Sequence, residues 1–157
     1  MYKLNVMKLN KEAKLPTRNN QFDAGVDLYA LEDSFIEVGE TKKIPTGIAI
    51  QIPEGYVGKI EDRSGMASRG LRTGAGVVDC GYSGELSVVV HNFSADDTTI
   101  TSLNEHFANK LKLGYTITKG DKIAQLLIYK FELPRIEEVT ELWSSERGNK
   151  GFNSSGR

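Results

Sequence analysis

Short apolar runs with a period of two dominate this sequence, and they constrain its fold more than any other feature. They occupy residues 2–9, 35–38, 43–52, 56–60, 85–90, 115–118 and 122–131. Strands with one buried face are typically coded by such alternation, and turn signals such as PEGY and TKGD separate the runs. Many short strands at close spacing predict an all-β sandwich, jelly roll or barrel rather than a parallel sheet with helical crossovers.

The length and charge of the chain limit what this β domain could bind. The chain has 157 residues, enough for about one domain, and its 20 Lys and Arg residues nearly balance 21 Asp and Glu residues. We therefore expect neither direct nucleic-acid binding nor membrane association. The single cysteine, Cys80, cannot form an internal disulfide. No stretch resembles a signal peptide or a membrane span, so we expect a cytoplasmic protein.

Two stretches depart from the β pattern. SLNEHFANKLK (102–112) combines a capping box with an apolar residue every four positions, which predicts a short helix. SERGNKGFNSSGR (145–157) is rich in Gly, Ser and Asn and cannot supply a core, so we expect a flexible tail after a domain spanning 1–144. Trp143, with Leu142, is predicted to anchor the last packed turn before that tail.

Four internal stretches combine glycines with a charged or amide side chain: DAGVDLYA (23–30), DRSGMASRG (62–70), GVVDCGYSGE (76–85) and KGDKIAQL (119–126). Each one alone reads as a hairpin connector, because glycine supplies the backbone freedom that turns require. Together with the tail they offer guanidinium groups, hydroxyls and unobstructed N–H groups, which a polyphosphate needs. Asp79 adds a candidate carboxylate base for a metal-assisted phosphoryl reaction.

In chain order these residues resemble the five motifs of the trimeric deoxyuridine triphosphatases, or dUTPases. The matching segments are AGVDL (24–28), RSGMASRG (63–70), GVVDCGYSGE (76–85), GDKIAQL (120–126) and RGNKGFNSSG (147–156). The resemblance implies a jelly-roll-like subunit in a homotrimer whose active sites are shared between subunits. It also implies Mg²⁺-dependent conversion of dUTP and water to dUMP and pyrophosphate, which removes dUTP and supplies dUMP for thymidylate synthesis.

The third motif carries the chemistry in this resemblance. Asp79 is implied as the base that orients and deprotonates the water attacking the α-phosphorus, and Tyr82 as the ring under the deoxyribose. An aromatic face held this close to the sugar would exclude a 2′-hydroxyl. Uracil is expected to be read by main-chain groups of the hairpin from Gly76 and Val77 to about Ser87, which would reject thymine and cytosine.

The other internal motifs are assigned to the phosphates. Arg63, Ser64 and Gly65 resemble the loop that holds the bridge between the α- and β-phosphates, and Gln125 resembles the amide that contacts the phosphate chain. Asp27 resembles the carboxylate that holds Mg²⁺ through its waters. Magnesium binds mainly through substrate oxygens and retains water, so no dedicated cage of side chains is expected.

The tail resembles a lid. Arg147, Ser154 and Ser155 are similar to the γ-phosphate contacts of the family, and Phe152 is similar to the ring that closes over uracil. Asn153 stands where the family commonly has glycine. Asparagine tolerates the left-handed conformation, so we expect a modest effect on the path of the lid.

Two further departures concern the third motif and the segment after it. Gly81 replaces a second acidic residue that the family often has, which removes charge near Asp79. The segment 94–114 is longer than the turn that usually joins the third and fourth motifs. It resembles an insertion of phage-encoded members, and it is a candidate surface for a protein partner.

Two other functions stay open from the sequence. Deamination of dCTP would use the same fold but would need proton transfers at the base, and the spacing of Asp79 and Tyr82 together with the GF of the tail argues against it. A protein-binding regulator that uses its nucleotide site as a switch is the second alternative, and only 94–114 indicates it.

Overall fold

Eleven strands and one helical turn make up the chain in the computed structural model, which describes residues 3–94, 113–145 and 148. The strands are β1 (Asn5–Lys8), β2 (Val26–Tyr29), β3 (Ser34–Glu37), β4 (Thr41–Pro45), β5 (Ile48–Gln51), β6 (Tyr56–Glu61), β7 (Leu71–Gly74), β8 (Val77–Val78), β9 (Ser87–Asn92), β10 (Gly114–Ile117) and β11 (Lys122–Lys130). The helical turn α1 (Ser64–Ala67) lies between β6 and β7. The predicted all-β fold is confirmed. No helix in the described part of the chain is long and apolar enough to cross a membrane.

The strands pair in four antiparallel sheets whose neighbours are mostly distant in the sequence. The sheets have the orders β1-β5, β10-β3, β2-β11-β6-β8 and β4-β9-β7. All four contribute apolar side chains to one core, in which Leu28, Ile36, Ile44, Ile117 and Leu126 are at most 1% exposed. A core shared by small sheets is the arrangement expected of a jelly-roll-like domain.

Two buried polar side chains mark where the sheets meet. Thr46 donates its hydroxyl hydrogen to the carbonyl of Leu86, and Asn92 donates to the carbonyl of Ile36 at 3.0 Å. Each hydrogen bond joins segments 40 or 56 residues apart. Because an unpaired buried polar group is costly, these contacts favour one arrangement of the sheets over others.

The predicted strands are recovered with one correction and three additions. The run 43–52 is two strands, because Gly47 takes a φ of +70° and turns the chain after Pro45. Three strands that the pattern did not predict are β2, β7 and β8, which have four, four and two residues. β7 has one apolar residue, Leu71, and β8 consists of two adjacent valines, so neither shows an alternation. β2 lies within the glycine-containing stretch 23–30, which alone indicates a turn. The helix predicted at 102–112 lies outside the described residues.

Candidate active site

The longest strand brings together residues from two of the predicted motifs. β11 pairs with β2 on one side and with β6 on the other, and Gln125 lies directly opposite both Asp27 and Glu61. Residues opposite each other in an antiparallel pair point to the same face of the sheet. Asp27 and Gln125 therefore share one face, and a β-bulge between Lys122 and Ala124 adjusts the register beside them.

A surface cleft of about 540 Å³ opens on this face, and we call it the basic cleft. Its lining includes the predicted residues Asp27, Arg63, Ser64 and Gln125, and also Lys122. Gly65 lies in an adjoining cleft that shares Arg63 and Lys122 with the first. The structure therefore brings together every internal residue that the sequence assigned to phosphates and metal.

Asp27 is held by two cations at the floor of the basic cleft. Its Oδ1 accepts from Arg63 Nε at 2.8 Å, and its Oδ2 lies 2.7 Å from Lys122 Nζ, with the side chain only 13% exposed. Arg63 also donates through Nη1 to the carbonyl of Lys122 at 3.0 Å. Asp23 also lines the cleft, so its charged side chains balance, but Arg63 and Lys122 supply cationic donors that suit an anionic ligand.

Lys122 was not singled out from the sequence. The signal that could have found it is its place in the GDKIAQL motif, three residues before Gln125. Side chains at positions three apart in a regular strand point to opposite faces. The bulge between Lys122 and Ala124 changes that alternation, and it brings the ammonium group onto the same carboxylate as Arg63.

The donor set of the basic cleft fits Mg²⁺ bound through water rather than directly. Both Asp27 oxygens already accept from a cation, and each retains a lone pair that a metal-bound water could use. Among the described residues, no three His, Cys, Asp or Glu side chains are grouped so that they could hold a metal ion. An ion held mainly by phosphate oxygens and waters needs no such group.

Gln125 is positioned by contacts on both sides of its amide. Its Nε2 donates to the carbonyl of Asp62 at 2.8 Å, which leaves one amide hydrogen for a ligand. A Cβ atom at Gly25 would lie 2.5 Å from Gln125 Oε1, so only glycine leaves room for the amide at that position. The glycine of the first motif is therefore explained by the packing of the fourth.

A second cleft, of about 240 Å³, contains the predicted base, and we call it the hairpin cleft. Its lining includes Val77, Asp79, Tyr82 and Ser87. Asp79 directly follows β8, whose Val78 is buried and whose pairing with β6 fixes where the carboxylate emerges. Within the described ranges, no group donates a hydrogen bond to that exposed carboxylate.

Tyr82 is folded back over its own turn. Its hydroxyl donates to the carbonyl of Glu85 at 2.8 Å, and a Cβ atom at Gly84 would lie 2.7 Å from that hydroxyl oxygen. The Glu85 carboxylate in turn accepts from the N–H of Gly47 at 2.8 Å, which ties the hairpin to the turn between β4 and β5. Glu85 was not predicted as a site residue, although it is part of the quoted third motif.

Gly76 has a structural requirement of its own. Its carbonyl accepts from the N–H of Ile60 at 2.7 Å, and a Cβ atom there would lie 2.4 Å from the carbonyl oxygen of Ile60. The strand β6 therefore approaches the hairpin too closely for any side chain at this position. This contact neither supports nor excludes the predicted role of Gly76 in reading the base.

The basic cleft and the hairpin cleft do not share a lining residue. Within the described part of one chain, the predicted base and the predicted phosphate groups therefore line separate surfaces. The predicted tail contacts Arg147, Phe152, Asn153, Ser154 and Ser155 lie outside the described residues. The segment 94–114 is described only at its ends, at Ser94, Leu113 and Gly114.

An extended arm follows β11 and exposes several large apolar side chains. From residue 131 to residue 145 the described chain forms no strand or helix. Leu133, Ile136, Leu142 and Trp143 are 80%, 96%, 88% and 99% exposed. The prediction that Trp143 anchors the last packed turn is wrong for the isolated chain, because the described residues leave the side chain almost fully exposed.

Comparison with known proteins identifies the family of the chain. The family model described as dUTPase matches residues 11–108 and 102–156. The chain belongs to the dUTPase family. A curated deoxyuridine 5'-triphosphate nucleotidohydrolase from Mycolicibacterium gilvum is 40% identical over 98% of this chain and 94% of its own length. The predicted membership of an enzyme family that hydrolyses a nucleotide is confirmed.

Solved dUTPase structures share the fold over the whole chain. The dUTPase of Staphylococcus bacteriophage 80alpha, solved with dUpNHpp, has a TM-score of 0.86 and 40% identity, with all of both chains covered. A mutant dUTPase from phage phi11 of S. aureus, described with a structural Mg(II) ion, has a TM-score of 0.77 and 35% identity over 89% of this chain and 98% of that one. These similarities are consistent with the predicted phage origin.

Proposed function

We propose that this dUTPase hydrolyses dUTP to dUMP and pyrophosphate in a homotrimer whose active sites combine groups from different subunits. The proposal rests on the separation of the two clefts. In the described chain, the cleft that contains the predicted base, Asp79, has none of the predicted phosphate-binding residues in its lining. A neighbouring subunit that docks its hairpin cleft against the basic cleft completes the site. Closed rings of identical subunits form such composite sites at each interface.

The chemistry is assigned to Asp79. Its carboxylate is exposed at the end of β8 and free of hydrogen bonds from the described residues, so it can accept a proton from water. The water oxygen bonds to the α-phosphorus while the bond to the α,β-bridging oxygen breaks, and pyrophosphate leaves. Asp79 orients the water and takes its proton, which is general base catalysis.

Recognition of the nucleoside is assigned to the hairpin. The Tyr82 ring, fixed over Gly84 by the bond from its hydroxyl to Glu85, packs under the deoxyribose and leaves no room for a 2′-hydroxyl. Main-chain groups from Gly76 and Val77 to Ser87 read uracil. Backbone donors and acceptors in a narrow slot discriminate well, because a wrong base leaves them unpaired.

The basic cleft holds the phosphates. Arg63, Ser64 and Gly65 hold the α- and β-phosphates, and the free amide hydrogen of Gln125 contacts the chain of phosphates. Asp27 holds Mg²⁺ through water, and the bound ion neutralises phosphate charge and orients the triphosphate. The two cationic side chains beside Asp27, Arg63 and Lys122, support this assignment.

We propose the same lid and the same domain boundary that the sequence predicts. The domain 1–144, with an insertion at 94–114, carries the two clefts, and the tail 145–157 closes over bound nucleotide. In the tail, Arg147, Ser154 and Ser155 contact the γ-phosphate, and Phe152 with Asn153 covers the uracil. A cytoplasmic enzyme of this kind removes dUTP and supplies dUMP for thymidylate synthesis.

The exposed arm supports assembly. An apolar stripe that includes Ile136 and Trp143 is unfavourable in water, and burying one such side chain contributes roughly 1.5–3 kcal/mol. The arm spans residues 131–145, and an extended chain reaches about 3.3 Å per residue, so it can extend to a neighbouring subunit. We therefore propose that the arm packs on another copy of the chain.

Mixing two inactive variants tests the shared site. Asp79→Asn lacks the base, and Arg63→Ala lacks a phosphate contact, so each homotrimer is expected to be inactive. If neighbouring subunits share sites, co-refolding an equimolar mixture recovers about a quarter of wild-type activity, because about three-quarters of the trimers are mixed and one site in three is intact in each mixed trimer. Trimers shown to be mixed by mass spectrometry but inactive would refute the shared site.

The substrate is tested separately on the wild-type protein. Incubation with Mg²⁺ and dUTP, UTP, dTTP or dCTP, with assays for pyrophosphate and ammonia, distinguishes hydrolysis from deamination. We expect pyrophosphate from dUTP alone and no ammonia from dCTP. Ammonia release from dCTP would show that the protein deaminates dCTP instead.

A regulatory role is the second candidate. The 80alpha dUTPase is described among phage dUTPases that control transfer of virulence genes by a G protein-like mechanism. For this chain the expected partner surface is 94–114, most of which lies outside the described residues. Replacing 95–113 with a short Gly-Ser turn is expected to leave dUTP hydrolysis intact, and loss of a captured partner with retained activity would support the role.

A further inference from the structure

Asp62 lies between the end of β6 and the phosphate-binding loop, and its side chain and main chain face different parts of the molecule. The carboxylate Oδ1 accepts from the N–H and the hydroxyl of Thr73, at 2.6 Å and 2.8 Å. Oδ2 accepts from Arg72 Nη1 at 2.9 Å. Three donors on one carboxylate fix the side chain against β7.

The main-chain carbonyl of Asp62 holds the amide of Gln125, at a distance of 2.8 Å from Nε2. This carbonyl belongs to the peptide group that joins Asp62 to Arg63. Because the peptide group is planar and rigid, its orientation sets the Gln125 acceptor and the start of the Arg63 loop together. In the described structure the side chain of Asp62 links this peptide group to β7, while Arg63, on the other side of the same peptide, is held by Asp27.

We infer that Asp62 is a positioning residue. Its side chain is anchored to β7, and its main-chain carbonyl orients Gln125 toward the triphosphate. The inference rests on the proposed function, in which Gln125 contacts the phosphates. Without the carboxylate, the peptide group can rotate and the Gln125 amide loses its acceptor. Gln125 then samples other rotamers, and binding a phosphate requires ordering it again. Asp62 contacts no ligand and acts only through Gln125.

The inference predicts a selective loss of affinity. Calorimetry with the non-hydrolysable analogue dUpNHpp and with dUMP, both with Mg²⁺, separates the phosphate chain from the nucleoside. Asp62→Ala is expected to raise the Kd for dUpNHpp by about tenfold, which corresponds to the loss of one hydrogen bond to a charged group. The Kd for dUMP is expected to change by less than about twofold. A purely structural role would weaken both ligands equally, and that result would overturn the inference.

A double-mutant cycle shows whether Asp62 acts through Gln125. If it does, Asp62→Ala adds nothing to the loss that Gln125→Ala causes in dUpNHpp affinity, because the positioned group is already absent. Losses that multiply would overturn the inference. The matched control is Glu12→Gln, a carboxylate that pairs with Lys119 and lines neither cleft, and it is expected to keep wild-type affinities.

A milder variant covers the case in which Asp62→Ala does not fold. Thr73→Val keeps the N–H that Asp62 accepts and removes only the hydroxyl, so a partial loss of about threefold for dUpNHpp is expected. A wild-type ratio of the two affinities in this variant would count against the role of Asp62. If the wild-type protein itself binds dUpNHpp no tighter than dUMP, the proposed function fails instead.

Discussion

Gly84→Ala is the sharpest test of how the hairpin holds Tyr82. A Cβ atom at position 84 would lie 2.7 Å from the Tyr82 hydroxyl oxygen and 2.9 Å from Cζ, whereas ordinary contact begins at 3.4 Å. The ring would have to move by about 0.7 Å, which lengthens the 2.8 Å bond from the hydroxyl to Glu85 beyond hydrogen-bonding range. Gly84 has no positive φ, so the backbone itself tolerates alanine.

The size of the effect follows from the lost contact. A hydrogen bond of this kind contributes about 1 kcal/mol, so kcat/KM for dUTP is expected to fall roughly five- to tenfold. Discrimination against UTP should fall as well, because the displaced ring no longer fills the space of a 2′-hydroxyl. Loss of the same hydrogen bond should lower the Tm by about 2–4 °C at most, the shift that 1 kcal/mol gives in a chain of this length.

Steady-state kinetics with dUTP and UTP measure both effects, and Gly81→Ala is the matched control. Gly81 lies in the same turn, and a Cβ atom there meets nothing within 4 Å. Alanine at 81 is therefore expected to leave both substrates unaffected. Equal losses in the two variants, or unchanged discrimination against UTP in Gly84→Ala, would refute the argument that the Gly84 contact sets the ring.

Four other predictions concern the base, the lid, the arm and the response to acid. Asp79→Asn should lower kcat by about 10²- to 10⁴-fold with dUpNHpp affinity unchanged by calorimetry, and near-normal turnover would remove Asp79 from its role. Truncation after Glu146 should leave a protein that is still trimeric by light scattering but hydrolyses dUTP slowly. Full activity of this variant would exclude a lid. Ile136→Asp should shift the protein toward monomer at micromolar concentration, and an unchanged trimer would show that the arm is not an interface. Burial raises the pKa of Asp62, but hydrogen bonds from Arg72 and Thr73 outweigh burial and lower that pKa below its usual value. The ionised carboxylate therefore stabilises the fold above about pH 4, the range in which it is ionised in the unfolded chain as well. This contribution is lost as the pH falls through the lowered pKa. The difference in unfolding free energy between wild type and Asp62→Asn, from urea denaturation, should therefore be larger at pH 7 than near pH 2, and a constant difference would contradict this.

The sequence by itself determined the class of fold and the inventory of the site. Alternation of apolar residues reports which face of a strand is buried, and this local signal was enough to predict most strands and the all-β architecture. Motif order identified the dUTPase family. Motif residues also predicted the content of both clefts, from Arg63 and Gln125 in one to Asp79 and Tyr82 in the other.

Only the tertiary structure decided which of these groups meet. Asp27 and Arg63 are 36 residues apart, and Gln125 is 63 residues from the carbonyl that it binds. Such contacts depend on strand pairing and register, which no local pattern encodes. The contacts of Asp62, Lys122 and Glu85, the separation of the clefts and the exposure of Trp143 therefore became visible only in the folded chain, because each depends on how separate segments pack together.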